Sequence, residues 1–83
     1  MNIKLNKHYV QLLNETVDYM SKTLAFDIIL ALKEIDNYTL NISETVFDML
    51  ITELYKITEC VDSKYLDLLS CLINKDKRKI NAQ

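Results

Sequence analysis

Across its 83 residues the chain contains neither a glycine nor a proline. Tight β-hairpin turns draw on glycine or asparagine at positive φ, and sandwiches and barrels accumulate many such turns. A chain without either breaker meets no obstacle to long helices, and its loops must be built from Asn, Asp, Ser, Thr and Tyr. Glycine-rich phosphate cradles and the nucleophile elbow are excluded too, because both need a backbone that bends sharply or approaches a ligand closely.

With 49% hydrophobic residues and a formal charge of −2, the chain is apolar enough for one compact core and too weakly charged for disorder. The apolar spacing predicts an all-α fold, a single-domain bundle of about four helices over residues 5–21, 24–35, 44–60 and 64–74, followed by a basic tail, 75–83. In the first helix Tyr9, Leu13, Val17, Met20 and Leu24 recur at helical intervals, and Asn6 is placed to cap it. The second segment, LAFDIILALKEI, is apolar nearly all round, which predicts the central spine of the core. A break near Ser21 separates these two helices or merely bends one continuous helix. The run DNYTLNIS, 36–43, reads as a loop, with Asn41 or Ser43 as the next cap. The third helix buries Phe47, Leu50, Leu54, Ile57 and Val61, and the fourth buries Tyr65, Leu68, Leu69 and Leu72.

Several function classes lack their residues. The longest apolar run, Ile28 to Leu32, is five residues, against the ~20 that span a bilayer. No apolar signal segment stands between Met1 and Lys7, so a cytoplasmic chain with reduced Cys60 and Cys71 is expected. These cysteines lack the close pairing of a zinc or redox motif, and His8 is the single histidine. No metal, no cofactor and no catalysis are expected.

Charge divides the chain unevenly. Residues 10–74 carry eleven acids against Lys22, Lys33, Lys56 and Lys64, a net of −7, whereas 75–79 carry four bases and one acid. The acidic stretch suits docking on a basic partner; a solvated set of helix faces is the plainer reading. Lys75, Lys77, Arg78 and Lys79 are the candidate phosphate contacts, although charge at a helix C-terminus also complements the macrodipole. Five tyrosines outnumber two phenylalanines. Tyrosine joins a large apolar ring to a polar tip and is enriched at interfaces. Tyr19 and Tyr55 fall off their inner stripes and Tyr38 lies in the loop, so these three are candidate contacts. Asp48, Ile51, Glu53 and Glu59 on the third helix complete the candidate surface.

These features predict a small regulator or inhibitor that occludes a protein partner through the surface of the second and third helices, with Tyr55 and neighbouring acids. No run of residues carries a motif of any such family; the plan is that of short helical immunity proteins and antiholins in size and class only. The weight of Asn, Lys and Ile is what AT-rich coding sequence produces, as in many phages and plasmids. A nucleic-acid-associated regulator using the basic tail, or a self-assembling subunit, are the alternatives.

Overall fold

A computed structural model describes residues 1–78. Among them are four α-helices and one two-stranded ribbon, in the order β1 (Asn2–Lys4), α1 (Lys7–Thr16), a 3₁₀ turn (Val17–Tyr19), α2 (Lys22–Lys33), β2 (Thr39–Asn41), α3 (Glu44–Cys60), a second 3₁₀ turn (Ser63–Tyr65) and α4 (Leu66–Asn74). The chain is a small all-α bundle carrying a minor β ribbon.

Short polar side chains set the helix starts. Asn6 accepts at Oδ1 from the backbone N–H of Tyr9 at 2.9 Å, and Ser43 accepts at Oγ from that of Val46 at 3.1 Å. The cap of α3 is therefore Ser43 and not Asn41. Asp62 does the same for the second 3₁₀ turn, accepting from Lys64 at 2.9 Å. The first two helices are separate: the backbone turns extended at Met20 and Ser21 before α2 begins.

The core lies around α3, which corrects the expectation that the second segment is the spine. Phe47, Leu50, Leu54 and Ile57 of α3 are all buried, with α4's Leu68, Leu69 and Leu72 and the adjacent Tyr65 packed in the same cluster. Each such side chain contributes roughly 1.5–3 kcal/mol by leaving water. From α2 Leu24, Ile28 and Ala31 are buried in the core and Leu32 packs partly against it, while Phe26 is 64% exposed, Ile29 40% and Leu30 43%. An all-round apolar helix needs neighbours on every side, and a four-helix unit of this length has too few elements to supply them. Val61, expected inside, is exposed because α3 ends at Cys60 and the chain turns away.

A ribbon stands where the sequence predicts a loop over 36–43 and no element before residue 5. β1 and β2 pair antiparallel, Asn2 with Asn41, Ile3 with Leu40 and Lys4 with Thr39. Alternation puts Ile3 and Leu40 in the core and leaves Asn2, Lys4 and Asn41 outside. The turn entering β2 needs two residues at positive φ, and Asn37 (51°) and Tyr38 (58°) supply them without glycine. Thr39 N–H closes this turn on Asp36 C=O at 3.0 Å, as in a type I′ turn. β1 then holds it from outside: Leu5 N–H donates to Tyr38 C=O at 2.9 Å, and the Lys4 ammonium donates to Asn37 C=O. The left-handed region costs an L-residue roughly 1–2 kcal/mol. Tyr38→Val, β-branched at that φ, is expected to lower stability by about 1–2 kcal/mol in urea unfolding, and Tyr38→Gly to leave it unchanged or raise it by up to about 1 kcal/mol. A glycine variant less stable than the valine one would contradict the left-handed assignment.

Candidate functional site

The outward ridge of α3 carries Asp48, Thr52, Tyr55 and Glu59 at helical spacing, with Ile51 beside them. Facing that ridge is the end of α4. Together Phe47, Asp48, Ile51, Thr52, Tyr55, Ile73 and Asp76 line a groove of about 330 Å³. Phe47, Ile51 and Ile73 give it apolar walls, and Tyr55, 52% exposed, stands at its mouth. Such a volume is at the small end of ligand-pocket sizes and suits one bulky side chain.

Arg78 ties together three residues of the groove's lining, Phe47, Asp48 and Asp76. Its guanidinium reaches Asp48 Oδ1 at 2.7 Å, Asp76 Oδ1 at 3.0 Å and Glu44 Oε1 at 3.1 Å, and it lies over the Phe47 ring at 5.4 Å from the centroid. The hydrogen bonds to Asp48 and then Asp76 raise its pKa above the already high arginine value. Asp76 is buried and also accepts from the Arg78 backbone N–H at 3.0 Å. The arginine expected at a phosphate is thus engaged by three carboxylates of its own chain. Lys75 and Lys77 line a concavity of about 250 Å³ with Asn2, Ile3, Lys4 and Asn74, and an adjoining one that Met1, Glu44 and Arg78 share, so three of the predicted basic contacts meet beside β1. Lys79 lies outside the described residues.

The other candidate residues are dispersed. Glu53 turns to the opposite side of α3, where its carboxylate accepts from Ser21 N–H at 2.8 Å and Ser21 Oγ at 2.7 Å. It closes the start of α2, placing negative charge at the positive end of that helix. Tyr19 stands exposed on the first 3₁₀ turn and Tyr38 on the ribbon turn, so of the three tyrosines Tyr55 alone lines the groove. Glu59 is exposed one turn beyond Tyr55.

Sequence spacing missed two polar clusters that join α1 to the fourth-helix region. Asp67 accepts from Tyr9 Oη at 3.2 Å and lies 3.4 Å from His8 Nε2, which gives the lone histidine a partner 59 residues away. The Asp67 hydrogen bond pushes the Tyr9 phenol up in pKa. Glu15 accepts from Lys64 Nζ at 2.9 Å and Tyr65 Oη at 3.0 Å. Those two contacts, Lys64's first, hold the Glu15 carboxyl below its ordinary range, and the Lys64 ammonium rises correspondingly. Nothing local signals such pairs, since they depend on how the helices pack. Both thiols are free, Cys60 exposed and Cys71 partly buried, and burial raises the Cys71 pKa. Among the described residues no group of three or more His, Cys, Asp or Glu side chains is arranged to hold a metal ion, and no helix is long and apolar enough to cross a membrane.

Compared with known proteins, the chain matches no family model, and no curated protein and no solved structure is significantly similar to it.

Glu15 makes a pH dependence testable. A carboxylate held below its ordinary pKa stabilises the fold fully above that ordinary value, near 4.5, and loses the contribution as pH falls below it. Glu15→Gln is therefore expected to flatten the acid limb of a thermal-midpoint profile between about pH 5 and 2.5, with a small loss at pH 7 because the group is solvent-screened. An unchanged acid limb would show that the ion pair contributes nothing.

Proposed function

We propose that this chain is a small protein-binding regulator or inhibitor, acting in the cytoplasm, that occludes its partner by holding a protruding apolar side chain in the groove between α3 and α4. The observation that carries the reading is the meeting of Asp48, Ile51 and Tyr55 in one groove, with an exposed aromatic at its mouth. A tyrosine beside an apolar recess is the composition of an interface anchor, where a few aromatic residues supply most of the affinity. Glu59, exposed one turn beyond Tyr55 on the same ridge, favours a partner with a basic residue beside the inserted side chain. AT-rich coding of this kind is compatible with a phage- or plasmid-borne inhibitor.

Purified chain immobilised against native lysate tests this. Wild type is expected to retain one dominant protein, Tyr55→Ala to retain at least tenfold less of it, and Phe26→Glu, on the far side of the molecule, to retain it fully. Should no retained protein depend on Tyr55, the groove is not the docking site.

A second reading has one observation in its favour: Lys4, Lys75 and Lys77 line one concavity, a weak phosphate-binding edge for nucleic acid. It predicts retention on a DNA column at about 50 mM salt that drops in the Lys75→Gln/Lys77→Gln chain. A wild type that flows through at that salt removes it.

A further inference from the structure

The outer face of α2 is largely uncovered, Leu30 and Glu34 bordering only a shallow groove with Asn41, Ser43 and Val46, and its pattern is self-complementary. Lys22, Phe26, Leu30 and Glu34 stand four residues apart and form one ridge along the helix and its C-cap. Phe26 and Leu30 lie two residues either side of Ile28, and Lys22 and Glu34 lie six either side. Phe26 is the most exposed large apolar side chain among the described residues, and Leu30 is exposed beside it. Neither Lys22 nor Glu34 has an ion-pair partner among the described residues, unlike Glu15, Glu44, Asp48 and Lys64.

We infer that the α2 ridge is the contact face of a homodimer, in which two copies pack α2 antiparallel about a two-fold axis near Ile28. Phe26 then meets Leu30 of the second copy and Lys22 meets its Glu34, each contact made twice, as an isologous interface requires. Ile29 flanks the apolar centre, and Lys33 falls opposite Thr23 of the second copy. A parallel pairing would set Lys22 against Lys22 and Glu34 against Glu34, which like-charge repulsion disfavours. An anionic membrane is a poorer occupant, because Asp27 and Glu34 border the ridge and residues 10–74 carry a net of −7. The groove of α3 and α4 stays open in such a dimer. Glu53 and Val46 border α2 on one side of α3, while Ile51 and Tyr55 line the groove on roughly the other.

One helix-to-helix contact is below the standard interface size, so the dimer is weak: monomer near about 10 µM and mostly dimer near about 1 mM. Sedimentation of the full chain across that range tests the inference. Phe26→Glu is expected to weaken association at least tenfold, Lys22→Glu and Glu34→Lys about fivefold each, and the double swap Lys22→Glu/Glu34→Lys to restore it to within about twofold of wild type. All three substituted positions are exposed, and matching circular-dichroism melts identify any variant that loses the fold. Three results overturn the inference: a wild type monomeric at about 1 mM, a dimer indifferent to Phe26→Glu, or a double swap no better than its singles. A monomer that instead binds phosphatidylserine vesicles through Phe26 overturns it in favour of a membrane surface. Each outcome is independent of the Tyr55 experiment.

Discussion

Removal of the Phe47, Leu50, Leu54 and Ile57 stripe from water is the interaction on which the rest of this structure depends. α3 is the longest helix among the described residues, with α2 joined to it at Glu53 and α4 along its other flank, so its burial sets the positions of both. The groove is a by-product of that arrangement. Where Leu66–Asn74 ends, its last turn no longer covers the outward ridge of α3, and Ile51 and Tyr55 are left facing a recess.

Acidic side chains that read as an uncommitted surface are in large part structural. Glu15, Glu53 and Asp67 each join elements far apart in sequence, and Glu44 and Asp48 hold Arg78. Exposed pairs of this kind contribute little singly. Their number across the helix joints gives register to a bundle whose apolar contacts are nondirectional, and it leaves fewer acids free for an outside partner than the count of charges implies.

Local features were legible where a local rule governs them. The caps at Asn6 and Ser43, the inner stripe of α3 and the breaks near Ser21 and Asp62 follow from side chains within a few residues of one another. The ribbon was not legible. Its two strands are three residues each, too short for alternation to register, and its turn uses Asn37 and Tyr38 where a reader looks for glycine. The depth of α2 was misjudged for a related reason: periodicity reports which faces are apolar, and only packing decides which of them find neighbours. Of the groove, Asp48 and Tyr55 were visible as off-stripe residues on α3 and Ile51 as part of its wide apolar arc; Ile73 and Asp76 were not, because their membership depends on where α4 stops.

The pairing of Asn2 with Asn41 closes a loop that contains α1 and α2 entirely. Loop-closure entropy grows only slowly with length, so holding these ends together costs about 2 kcal/mol more than a short hairpin would. It has a topological effect, however. The first two helices are tethered at both ends, to the bundle through Ile3 under Leu40 and to α3 through β2 and Ser43. A fluctuation that lifts α2 from the core must therefore either open the ribbon or stay small, which makes the N-terminal strand a brake on partial unfolding of the first two helices.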